Sequence, residues 1–105
     1  MNYKFKKKPI IIEAFQMTKK RRWDNKDWPI WLSQAWNKES PSEGAMWCID
    51  LPENKPKERL VIGTMEGVFY ISWGDWIIRG IKGELYCCKP NIFEATYEEV
   101  QAIKL

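Results

Sequence analysis

The clearest period in the chain runs from Trp28 to Trp36. Trp28, Trp31, Leu32, Ala35 and Trp36 fall at i, i+3, i+4, i+7 and i+8, one apolar stripe of an α-helix. Asp27 stands where an N-cap is expected, and Pro29 falls in the first turn, where its missing N–H costs nothing. Ser33, Gln34, Asn37 and Lys38 form the polar side. The stripe reads as a helix packed on a sheet, with a partner-binding face as the other reading. Lys8 to Met17 (KPIIIEAFQM) predicts a strand with Pro9 in its first position. Ile10, Ile12 and Ala14 would face one way and Ile11, Glu13 and Phe15 the other, which suits a central strand. Glu13 would then be a partly buried carboxylate needing a Lys, an Arg or a backbone N–H.

Between these elements, Lys19 to Lys26 reads as a polar loop, and so does Lys38 to Gly44. Met46 to Leu51 (MWCIDL) is a short strand, and Pro52 to Glu58 is a charged surface connection. Leu60 to Thr64 and Val68 to Ser72 flank Met65-Glu66-Gly67, a hairpin signal. Trp73-Gly74-Asp75 turns the chain into the strand Trp76 to Gly80, and Lys82-Gly83 turns it back into Glu84 to Cys88. Lys89-Pro90-Asn91 breaks that strand, and Ile92 and Phe93 return to the core. Glu94 to Glu98 predicts a last strand, followed by a frayed helical turn from Glu99 to Leu105. The expected fold is α+β: an antiparallel, strongly curved sheet or partly open barrel with one main amphipathic helix.

Composition narrows this picture. A chain of 105 residues is expected to form a single domain, 1–105, because two would leave neither half a workable core. Seven tryptophans exceed what so small a core needs. Three or four are expected inside, with one or two lining a groove or a subunit contact. The net charge of +3 is unevenly spread, with Lys4, Lys6, Lys7 and Lys8 at the start and Lys19, Lys20, Arg21 and Arg22 after the first apolar run. The basic start leads into a short apolar run without a small-residue cleavage site, so no signal peptide is expected. No stretch approaches a membrane span, and three cysteines, an odd number, fit a reducing cytoplasm.

Two segments carry a resemblance. The opening KKKPIIIEAFQMT and the stretch LVIGTMEGVFYISWGDWIIRGIKGELYCCKPNIFEATYEEV resemble a functionally uncharacterised family of small phage and prophage proteins. Members share a basic "KKP-hydrophobic-E-A" start and a GDYIIKGVKGEFYPCKPDIFEKTYE-like C-terminal half. Gly74 to Gly80, Lys82-Gly83-Glu84, Cys88-Lys89-Pro90 and Ile92-Phe93-Glu94 match that ending, over about two-thirds of the chain in all. Trp76 replaces a usual tyrosine and Cys87 a usual proline. The resemblance implies phage origin and a place in the bacterial host cytoplasm, and it carries over no catalytic residue.

Chemistry is sparsely signalled. Histidine is absent, which removes His-based triads, bases and metal ligands. Cys48, Cys87 and Cys88 lack zinc spacing, and in a strand Cys87 and Cys88 point to opposite faces, so neither a metal nor another cofactor is expected. Cys88 beside Lys89 could have a lowered pKa, but a cysteine nucleophile would lack its usual base. Asp75 reads as the acceptor of its own turn. Arg79, Lys82, Glu84, Tyr86 and Lys89 would converge on one rim if the sheet is curved, as an anion site or as cross-strand pairs holding the hairpin. The leading expectation is therefore a phage accessory protein that binds a host protein or a small anionic molecule, counter-defence being one setting, without catalysis. The alternative is a nucleic-acid module in which Lys6, Lys7, Lys8, Lys19, Lys20, Arg21 and Arg22 contact phosphates and exposed Trp stacks on bases. Trp-rich surfaces and a hairpin edge also predict a homodimer.

Overall fold

The computed structural model describes residues 3–50 and 58–100. In chain order the elements are β1 (Glu13–Gln16), α1 (Lys19–Asp24), α2 (Ile30–Asn37), β2 (Met46–Asp50), β3 (Glu58–Thr64), β4 (Gly67–Tyr70), β5 (Trp76–Arg79), β6 (Leu85–Cys88) and α3 (Pro90–Thr96). The strands form two three-stranded antiparallel sheets, ordered β1-β5-β6 and β2-β3-β4, which do not close into a barrel. The fold is α+β, as the pattern predicts.

One apolar cluster joins the sheets. Phe15 and Ile77, cross-strand partners on β1 and β5, meet Leu85 of β6, Leu60 and Ile62 of β3, Met46 of β2, and Leu32 and Ala35 of α2. The period-2 pleat explains the choice, since Phe15, Ile77 and Cys87 are in register and project to one side. Trp28, Trp31 and Trp36 pack around this cluster, and Trp28 meets Trp36 edge to face at 6.1 Å. The other side of the β1-β5-β6 sheet carries Trp76, which stacks on Phe93 of α3 with ring centroids 4.1 Å apart.

Several expectations change. The Lys8–Met17 strand shrinks to four residues and lies at an edge rather than the centre of its sheet. The reason is its partner: β5 ends at Arg79, opposite Glu13, and the chain then turns away. None of the described strands pairs with Lys8 to Ile12, and Ile11 is exposed. Glu13 does find an arginine, Arg79, at 3.1 Å, but on the surface.

Lys19 to Asp24, expected as loop, is helix α1. Thr18 caps it by accepting from the Arg21 N–H at 3.1 Å, and Asn25 ends it in the left-handed region at φ 52°. Arg21 and Arg22 sit in its last turn, where cations suit the helix dipole. α2 starts at Ile30 with Pro29, not Asp27, at the cap. A residue before proline is steered away from helical angles, so Trp28 stays outside the helix and Asp27 takes φ 64° instead. Glu94 to Glu98 is no strand, because Pro90 opens helix α3 from its first position. Residues 51–57 and 101–105, the expected connection and helical turn, lie outside the described residues apart from Glu58, Glu99 and Val100.

Gly63 shows how the long 38–45 loop is held. Its N–H donates to Ala45 O and its carbonyl accepts from Gly44 N–H, both at 2.9 Å. The loop backbone thereby lies against Gly63, and a Cβ there would run into the Ser42 carbonyl.

Candidate binding groove

The five residues expected on one rim are held by other means. Arg79 pairs with Glu13. Glu84 folds back over Gly80, where a Cβ would collide with its carboxylate, and accepts the Lys82 backbone N–H at 2.9 Å. Lys82 is exposed on that turn. Lys89 lies at the other end of the hairpin, beyond the Trp76–Cys88 pair, whereas Arg79 faces Leu85. Three residues of extended chain, roughly 10 Å, separate those pairs. Tyr86 lies between, with its hydroxyl 3.5 Å from that of Tyr97. The five residues therefore enter four separate contacts, Arg79 with Glu13, Lys82 with Glu84, Tyr86 with Tyr97 and Lys89 with Asp75, rather than one shared cationic rim.

Lys89 instead serves Asp75, the buried charged residue among those described. Its ammonium lies 3.2 and 3.1 Å from the two carboxylate oxygens, and Ser72 N–H donates to the second at 2.9 Å. Asp75 thus acts as the acceptor of its own turn, with a lysine added.

The basic clusters are likewise partly committed. Arg21 donates to Gln16 O at 2.9 Å and stands over the Phe15 ring. Arg22 covers Trp36 at 4.5 Å and lies 3.4 Å from Glu58. Lys19 and Lys20 remain exposed beside Trp23. Lys6 and Lys8 are exposed, while Lys7 reaches the Tyr97 hydroxyl at 3.3 Å. The two arginines of α1 are thus turned inward, which leaves Lys19 and Lys20 as the exposed cations of that helix.

A groove of about 440 Å³ lies elsewhere, between β6 and the β3–β4 hairpin. Glu84, Leu85, Tyr86 and Cys87 form one wall, and Thr64, Met65, Glu66 and Phe69 the other. Side chains of a strand alternate between faces, so consecutive β6 residues border one groove only where it follows the strand edge. Among the described residues β6 ends its sheet, so its edge away from β5 has no strand partner, although β3 of the other sheet passes close by. The opposite wall is built by the hairpin turn, where Gly67 takes φ 127° and the Thr64 hydroxyl bonds Gly67 O at 2.9 Å. β4 is also an edge strand, and its Val68, Phe69 and Tyr70 are exposed.

The groove lining is mostly apolar, with Glu66 and Glu84 as its charged residues, the Glu84 carboxylate being bound to the Lys82 N–H. Burial and then the Asp75 carboxylate push the Cys87 thiol above its usual pKa. Burial and the Tyr97 hydroxyl do the same for the Tyr86 phenol. Both stay protonated at neutral pH, so the groove offers hydrogen-bond donors and apolar surface rather than an activated nucleophile. Burial likewise raises the Cys48 thiol. No cluster of His, Cys, Asp and Glu among the described residues could hold a metal, and no described helix is long and apolar enough to cross a membrane.

Sequence reasoning named Glu84 and Tyr86 but missed the hairpin wall. Its signal was present in Val68-Phe69-Tyr70, three large residues in succession on a strand too short to be covered on both faces. Compared with family models, curated proteins and solved structures, the chain matches none.

Proposed function

We propose that this protein works by binding, without catalysis, and that its groove takes an extended segment of a partner protein along the free edge of β6. One observation carries the reading: Leu85, Tyr86 and Cys87, consecutive residues of β6, the strand that ends its sheet among the described residues, line the groove. Such an edge supplies N–H and C=O groups for an added strand, while flanking pockets select alternate side chains. A volume of about 440 Å³ suits the insertion of a few side chains. Glu66 and Glu84 favour a segment bearing lysine or arginine and oppose a small anion. The phage resemblance of the two terminal segments supplies the setting: an accessory protein acting on a host protein in the bacterial cytoplasm, with counter-defence as one purpose.

The test is selection of displayed random peptides on immobilised protein. Wild type should enrich extended, basic-apolar peptides. Phe69→Asp, a change at an exposed wall residue, should abolish the enrichment, while Lys19→Glu with Lys20→Glu should leave it intact. Equal enrichment by wild type and Phe69→Asp would exclude the groove.

A further inference from the structure

The segment leading into β1 matches the groove. Tyr3 to Ile12 forms no helix or strand, and Tyr3, Phe5 and Ile11 are 77, 91 and 74 % exposed. Its order, Tyr3-Lys4-Phe5-Lys6, alternates aromatic and basic positions. An extended chain with that alternation presents the rings on one face and the ammonium groups on the other. The groove has complementary features, an apolar lining that includes Leu85 and Phe69 and two acidic residues, Glu66 and Glu84. Lengths agree as well: Tyr3 to Lys6 and β6 are each four residues, about 13 Å when extended. The arm is tied on the α3 side of the β1-β5-β6 sheet, where Lys7 lies 3.3 Å from the Tyr97 hydroxyl. Within its own chain, however, it leaves Phe5 and Tyr3 in solvent.

We infer that two copies of this chain exchange these arms, each laying Tyr3 to Lys6 along the free edge of β6 in the other. The arrangement is isologous, since each copy gives one arm and offers one groove, so it closes as a two-fold dimer. It rests on the reading of the groove as a strand-binding site and adds its resident occupant. A foreign segment would then bind by displacing the partner's arm.

Disulfide trapping tests this directly, because Cys87 already lines the groove. Phe5→Cys is made in the full chain together with Cys48→Ser and Cys88→Ser, then oxidised. A covalent dimer that disappears on adding Cys87→Ser is the expected result. An internal crosslink within a monomer, or a dimer indifferent to Cys87→Ser, overturns the exchange. Sedimentation equilibrium supplies a second arm on uncrosslinked protein. Lys4→Glu with Lys6→Glu should weaken the dimer about tenfold or more, the loss of two acidic-basic pairs at each of the two grooves, and Glu66→Lys should restore part of it. A wild-type monomer at high micromolar concentration overturns the inference. Peptide enrichment by such a monomer would leave the groove reading standing. A trapped dimer that enriches no peptide would instead retain the exchange and remove the foreign partner.

Discussion

Replacing Lys89 by methionine keeps the aliphatic stem and removes the ammonium that faces Asp75. The Asp75 side chain is 3 % exposed, and Lys89 supplies the 3.1 Å and 3.2 Å contacts to its two oxygens. Ser72 N–H, at 2.9 Å, is the partner that stays. Breaking a fully buried pair by removing one member costs about 3–5 kcal/mol, and an exposed pair about 0–1 kcal/mol. Lys89 is itself 57 % exposed, so water reaches the site once the ammonium is gone and the cost falls between those limits. About 2 kcal/mol is expected, or roughly 8 °C in Tm for a domain of this size. Asp75→Asn keeps an acceptor for Ser72 N–H and should cost about 1–2 kcal/mol, as a lost charge-assisted bond does. The double variant should then be more stable than the sum of the single effects predicts, by about 1 kcal/mol. Urea titration followed by tryptophan fluorescence measures all four proteins. Strict additivity, or a Lys89→Met loss below about 0.5 kcal/mol, would refute the claim that this lysine neutralises a buried carboxylate.

Three further outcomes are expected. Gly63→Ala should destabilise by about 1–3 kcal/mol, since the obstacle is Ser42 backbone rather than a movable side chain; an unchanged urea midpoint would contradict the packing of the 38–45 loop on β3. Cys48, Cys87 and Tyr86 hold their protons more tightly when folded, so above the unfolded thiol pKa, about 8.5, the unfolded chain binds fewer protons and stability falls with rising pH. That contribution is complete below pH ~8.5, and Cys48→Ala with Cys87→Ala should flatten the slope of the urea midpoint up to pH ~10, an unaltered slope counting against it. Thr18→Ala should cost about 1 kcal/mol through loss of the α1 cap, measurable by thermal melting, whereas no change would mean the cap is idle.

Periodicity revealed the elements whose signals are local. The helix of the Trp-rich stripe and the Met65-Glu66-Gly67 hairpin are decided by neighbours a few residues away, and both are found in the structure, the helix starting at Ile30 with Trp28 outside it. The β1 segment fails the same test because its length is set by where β5 stops, sixty-odd residues later. α1 was hidden by its composition: four cations in succession look like loop, and only Thr18 marks its start. Pro90 breaks the strand pattern before it, and the same residue equally starts a helix. For the groove, the sequence exposed Glu84 and Tyr86 through their chemistry. The opposing wall depends on how two sheets approach one another, which no local pattern encodes.

Helix α3 buries none of its residues; its chief anchor is the flat stack of Phe93 on Trp76. An element that buries none of its residues and is held chiefly by one aromatic pair, worth about 0.5–1.5 kcal/mol beyond its buried area, can open while the core stays closed. Its amides should therefore exchange with solvent deuterium through a local event, insensitive to low urea, whereas those of β3 and β5 exchange only by global unfolding. The two ends of the chain then differ in kind from its middle: a protease would clip the C-terminal helix from a molecule whose sheets are still fully assembled.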